Sequence, residues 1–277
     1  MTAVQSAQRA QSVSRNRPRL LVGLEQAWVL TVRSVFATVR KTDRWAPGLI
    51  FPLAMAAVYS SQFARTTGLP GFPEVDSFLQ FILPATILQG IAFSASNAGT
   101  DMAADIETGF FDRLVVSPVA RQSIFVGRVG GSAAAAGFQA GAHMAIFFLL
   151  GAPIESGPAG ALALILISVV LSVGISGFGL AVALRTGSSE ATQAMFPLFF
   201  MLVFVSSAFF PTELMKGWYQ TAAENNPFSL VVNPTRQLVI SGWSWGDLSA
   251  AVGYSLLIAV VSLGLAYGAY VQRLKRS

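Results

Sequence analysis

The sequence has no cysteine, a single histidine and little charge: 11% of its 277 residues are Asp, Glu, Lys or Arg, against about 25% in an ordinary soluble domain. Each shortage excludes something. Without cysteine there are no disulfides, thiolate metal sites or cysteine nucleophiles. One histidine, with carboxylates confined almost wholly to the stretches between long apolar runs, offers no metal-ligand set of the usual spacing. No Gly-x-x-x-x-Gly-Lys-Ser/Thr occurs, so the chain carries no phosphate loop of its own.

What it has in abundance is apolar sequence, 53% of all residues. A membrane helix needs roughly 20 uncharged, mostly apolar residues to cross about 30 Å of hydrocarbon. Cutting the chain at its charges leaves six runs of that kind, at 45–64, 77–100, 129–154, 156–184, 191–212 and 248–272. They predict an all-α membrane protein with six transmembrane helices at about 45–64, 77–100, 122–154, 158–184, 191–212 and 248–272. Pro47 and Pro52 predict a kink or a late start in the first. Glycine-rich stretches in the third and fourth, GGSAAAAGFQAG and VGISGFG, predict close helix packing.

Positive residues are retained on the cytoplasmic side of a membrane. With the N-terminus inside, the inner segments hold 15 of the 18 Lys and Arg, leaving Arg65, Lys216 and Arg236 outside. Both termini are therefore expected in the cytoplasm, and the net charge of +5 requires no nucleic-acid partner. Residues 1–19 read as a disordered basic tail, and 20–277 as one transmembrane domain. Leu21, Leu24, Trp28, Val32, Val35 and Val39 recur at helical spacing, with Arg33, Arg40 and Lys41 off that row. This predicts an interfacial amphipathic helix over 20–42.

The stretch 105–128, DIETGFFDRLVVSPVARQSIFVGR, is a polar island. With Asp101 it brings seven charges to residues 101–128, and burying them at bilayer centre would cost on the order of 3 kcal/mol each, roughly 20 in all. It is expected in the cytoplasm. Thr100 can cap a helix beginning at Asp101, and Gly109 permits a bend. Phe110, Phe111, Leu114 and Val115 then share the face of a short helix that offers two aromatics and the Asp112–Arg113 pair outward. Ser117-Pro118 suits the start of the next helix, which carries Arg121 and Arg128. The alternative is a loop that merely stays wet.

On the other side, ELMKGWYQTAAENNPFSLVVNPTRQLVISGWSWGD is too interrupted to span. Asn226-Pro227 and Asn233-Pro234 predict turns, and the whole predicts short re-entrant helices forming an extracellular lid with Arg236. Gly174-Ile175-Ser176-Gly177 resembles the nucleophile motif of rhomboid-like intramembrane proteases. The histidine base expected in the last helix is missing, since His143 lies in the third. No Asp, Glu, Lys or Arg sits at mid-depth in any predicted span. Ion-coupled carriers usually place such groups there, so a partner must supply the energy for any uphill step.

The island, and NPFSLVVNPTRQLVISG near the last helix, together resemble the type-2 ABC exporter permeases, in particular their daunorubicin-resistance-like branch. The resemblance runs over essentially the whole chain. It implies a non-enzymatic permease in the bacterial plasma membrane that dimerises with an identical or related permease. Two ATP-binding subunits would hold ATP and magnesium, with no cofactor on this chain. It also implies coupling to the ATPase through Asp105, Glu107, Gly109, Phe110, Phe111, Asp112, Arg113, Pro118 and Arg121. The connecting helix would carry Trp28, Arg33, Arg40 and Lys41. Such permeases export drugs, lipids or polysaccharides, and for this chain the resemblance implies export of an amphipathic drug, antibiotic or lipid and a part in multidrug resistance. Gln89, Ser94, Asn97, Gln139 and His143 are the polar candidates for a translocation path. Competing readings are a stand-alone carrier or channel and a structural membrane protein.

Overall fold

The structure is a computed structural model that describes residues 25, 26, 28–33, 36, 42–117 and 121–275; the side chains of residues 43, 44, 94 and 121 fall outside that description. Arg40, Lys41 and Pro118 lie outside the described residues as well. Among the described residues the only regular structure is helical, ten α-helices and two single 3₁₀ turns (Thr66–Gly68 and Thr212–Leu214), with no strand.

Ten helices follow residues 25–36: α1 (Thr42–Gln62), α2 (Phe78–Glu107), α3 (Phe110–Val116), α4 (Arg121–Leu149), α5 (Gly157–Thr186), α6 (Ser189–Gln193), α7 (Phe196–Phe204), α8 (Trp218–Glu224), α9 (Pro227–Ile240) and α10 (Trp245–Leu274). Four of them, α2, α4, α5 and α10, are long and apolar enough to cross a membrane. At 1.5 Å per residue, α2, α5 and α10, at 30 residues each, reach about 45 Å. The first predicted span is the 21-residue α1 with Pro47 and Pro52 inside it. The fifth is broken into the short α6 and α7.

α2 is the central helix. Residues 80–92 are buried without a break, and its Phe81, Ile82, Leu83, Ile87, Leu88 and Ile91 are at most 1% exposed. α1, α4 and α5 pack around it. The α2–α5 crossing is backbone on backbone, since a Cβ added to Gly99 would stand 2.6 Å from the carbonyl carbon of Gly179. α5 meets α10 the same way, with Gly174 against Ala259 and Gly177 against Ser262. Ser176 is fully buried in that packing, and its hydroxyl donates to the Val173 carbonyl at 3.1 Å. The glycines thus serve close approach, the main packing device where lipid offers no hydrophobic drive.

Two local expectations are corrected. α2 does not restart at Thr100; it runs unbroken to Glu107, and the Thr100 hydroxyl turns back to Ser96 O at 3.5 Å. The acids beyond it continue the helix because Arg128 of α4 neutralises both Asp101 and Asp105. Nor does Asn233-Pro234 make a turn. Pro234 lies inside the continuous α9, and the Asn226-Pro227 pair alone starts a helix, with Asn226 Oδ1 accepting from Phe228 N–H at 2.8 Å.

Candidate functional site

At one end of the bundle α2 reaches the short α3 through Gly109, whose φ of +67° lies in the left-handed region that glycine tolerates. Arg113 donates back to the Thr108 carbonyl at 3.4 Å, past the end of α2, and to the Gly109 carbonyl at 3.3 Å, which also accepts the Arg113 N–H at the start of α3. The two phenylalanines then part. Phe111 is fully buried, edge-on to Tyr270 of α10 at 6.2 Å, whereas Phe110 is half-buried at the surface. Adjacent residues on a helix are about 100° apart, and here that turn puts Phe111 inside and Phe110 at the surface, so the expectation of two offered aromatics is corrected to one. Phe110 holds Arg33 over its ring at 4.6 Å and Arg113 at 6.0 Å. The N-terminal helical segment and α3 therefore meet, as a cation stacked on an aromatic face.

Asp112, Arg113 and Val116 of α3 are exposed, as are Trp28, Val29, Arg33 and Phe36 on the N-terminal segment. Glu107 has a different partner. Its carboxylate accepts from the Ser189 N–H at 2.6 Å and the Ser189 hydroxyl at 2.8 Å, tying the end of α2 to the start of α6. Those two hydrogen bonds, the backbone one first, hold the Glu107 carboxyl below its ordinary range. Of the predicted site residues here, Asp105 is engaged inward with Arg128. Arg121 begins α4, with its side chain outside the description.

At mid-bundle, Gln89, Gln139 and His143 are all buried. His143 shares a hydrogen bond with Gln139 O at 2.9 Å. A Cβ on Gly90 would lie 2.6 Å from both the His143 ring and Gly48 O, so α1, α2 and α4 meet at this point. Asn97 is half-buried on α2.

The opposite end holds what the sequence did not reveal. Between α7 and residue 211 the backbone leaves helical geometry, and non-helical backbone at membrane depth needs its polar groups satisfied by protein. α9 and its flanks supply the partners. Asn226 Nδ2 donates to Leu202 O and Val205 O at 2.8 and 3.1 Å, and the Tyr219 hydroxyl to Phe204 O at 2.6 Å. Ser229 accepts from Ser207 N–H at 2.9 Å. Arg236, 4% exposed, donates to Ser207 O, Ala208 O and Phe81 O at 2.7, 3.0 and 3.1 Å and lies 3.9 Å over the Phe81 ring. Asn233 Oδ1 accepts from both Arg236 and the Ser207 hydroxyl. Of the residues expected in an extracellular lid, Asn226, Asn233 and Arg236 brace the broken helix from within the protein.

Such a chain is a multi-pass helical membrane protein. The family description "ABC-2 type transporter" matches residues 25–240, and the chain belongs to that family. Its members are membrane transport subunits associated with an ABC ATPase, as the resemblance implied. The daunorubicin resistance ABC transporter permease protein DrrB1 of Streptomyces coeruleorubidus is 25% identical over 218 residues, 78% of this chain and 72% of that one. The putative transport permease ycf38 of Cyanophora paradoxa is 26% identical over 250 residues, 86% and 85% of the two chains. The ycf38 protein of Pyropia yezoensis is 25% identical over 249 residues.

Proposed function

We propose that this chain is the permease subunit of an ATP-driven exporter that carries an amphipathic drug, antibiotic or lipid out of a bacterial cell. Two permeases, identical or related, pair with two soluble ATPase subunits that bind ATP and magnesium. In this reading α1 and the α6–α7 unit join α2, α4, α5 and α10 as six spans, with both termini cytoplasmic. α3 is the coupling helix and the N-terminal segment the connecting helix.

The observation that carries it is the Arg33–Phe110–Arg113 stack, which joins the N-terminal helical segment to α3 at the end of the bundle richest in charge. A push on α3 would reach α2 through Gly109, α10 through Phe111, and α6 through the Glu107–Ser189 clamp. The name of the Streptomyces relative supports a drug as cargo.

Purification of the tagged protein in mild detergent tests this, with Phe110→Asp alongside. Phe111 is left intact because its burial would make its replacement a folding defect. An ABC ATPase retained by the unmodified protein and lost from a folded Phe110→Asp variant is the expected result. Absence of such an ATPase from the unmodified protein would favour a stand-alone carrier.

A further inference from the structure

α5 and α10 run parallel, with Gly174 against Ala259 and Gly177 against Ser262, and they end together. Arg273 in the last turn of α10 lies against Gly187, where an added Cβ would stand 3.0 Å from its Nη1. Two more cations sit at this end, Arg185 in the last turn of α5 and Lys275 just past α10. Both are exposed, and neither side chain has an ion-pair partner among the described residues. Arg128 and Arg113, by contrast, are engaged with carboxylates and carbonyls of their own surroundings.

A cation at a helix C-terminus suits the helix dipole, which would account for both side chains if nothing lay along their faces. Something does. Leu171, Ile175 and Phe178 precede Arg185 at steps of three, four and seven on one face of α5. Leu257, Val261, Gly264 and Gly268 precede Lys275 at the same steps on α10. The apolar members of the two rows wall a cavity of about 340 Å³, backed by α7 and α9 and lined by apolar side chains alone. Between the cavity and the cations Gly264 and Gly268 leave α10 flat, since a Cβ at either would meet no atom within 4 Å. Phe178 is seven residues from Arg185 and Val261 fourteen from Lys275, about 10 and 21 Å along the axes. One leaflet of hydrocarbon, half of about 30 Å, is of the same depth. A pocket for a drug-sized ligand places a few polar groups to orient it. This cavity has none on its side chains, and an acyl chain needs none.

We propose that α5 and α10 bind one anionic phospholipid, with its phosphate on Arg185 and Lys275 and one acyl chain lying over Gly268 and Gly264 into the cavity. Basic clusters between helix ends on the cytoplasmic side hold anionic headgroups in this way, and in the orientation proposed above this is the cytoplasmic leaflet. The seated chain props α7, whose Leu198 and Leu202 line the same cavity. Binding itself does not depend on the exporter reading.

The test uses the full chain in mild detergent, supplied with equal amounts of dioleoyl phosphatidylglycerol and dioleoyl phosphatidylcholine, with retained lipid counted by native mass spectrometry. One phosphatidylglycerol per chain should be kept in preference to phosphatidylcholine, and this selectivity decides the matter even where a variant fails to fold. Arg185→Gln and Lys275→Gln should each lower the preference about fivefold. Arg65→Gln, exposed at the opposite end, should leave it unchanged. Gly264→Leu, which fills open space without displacing a neighbour, should lower retention, and glycerol 3-phosphate, the anion without its acyl chains, should not compete. Equal retention of the two lipids, equal loss in Arg65→Gln, full retention in Gly264→Leu or competition by glycerol 3-phosphate would each overturn the site. A second copy of the chain packed on the Gly264–Gly268 face is the other occupant that small residues suit. Gly268→Cys, oxidised in native membranes, should therefore stay monomeric, and a disulfide-linked dimer would overturn the lipid.

Discussion

Arg236→Met probes the bracing of the broken helix. Replacing a buried ion by an apolar side chain of similar length is often neutral or stabilising when its partner is another charge that can be removed with it. Here the partners are main-chain carbonyls that cannot be removed. Ser207 O and Ala208 O each lose the Arg236 Nη2 donor, at about 1–3 kcal/mol apiece. The lost stack on Phe81 adds about 1–2 kcal/mol. Relief from holding a desolvated guanidinium opposes these by several kcal/mol. The net expectation is about 2–4 kcal/mol of destabilisation, which for a chain this long lowers Tm by on the order of 5–15 °C. Arg236→Lys, with three donors but no planar fork, should fall between. Thermal unfolding in detergent, followed by the monodisperse fraction surviving each temperature, reads all three proteins. A methionine variant as stable as the original would refute the bracing argument.

Other expectations follow from single contacts. Gly99→Leu should separate α2 from α5, because even a Cβ there stands 2.6 Å from Gly179; a cost of about 1–3 kcal/mol would be read as a lowered Tm. Glu107, held below its usual pKa by Ser189, contributes a clamp that is fully present above pH about 4.5 and is lost as pH falls through its lowered folded value. Protection of the Ser189 amide, its exchange rate relative to the intrinsic rate at each pH, should therefore fall only on acidification, and Glu107→Gln should show lowered protection already at pH 7.

Local chemistry was legible where partners lie near in sequence. The bend at Gly109, the start of a helix at Asn226-Pro227 and the four long apolar helices follow from spacing and composition. What escaped depends on distant partners. Residues 191–212 carry no charge and read as one span, and the break after Phe204 persists because Asn226, Ser229 and Arg236, some 20–30 residues on, satisfy its backbone. The burial of Arg236 escaped because one of its acceptors, Phe81 O, is 155 residues away. Thr100 read as a cap because nothing local announces Arg128 as the partner of Asp101 and Asp105. Phe110 and Phe111 were separable in principle, since helical geometry turns neighbours to different faces.

The absence of cysteine allows the most direct test of the coupling assignment. Val116 of α3 is 85% exposed, and Trp218 at the opposite end is 76% exposed, so Val116→Cys and Trp218→Cys each place one thiol on an otherwise cysteine-free chain. Both are labelled with a photoreactive maleimide in native membranes, and the products are identified by mass spectrometry. The account predicts an ABC ATPase crosslinked from Val116 and none from Trp218. No ATPase product from Val116, or equal products from both positions, would contradict it.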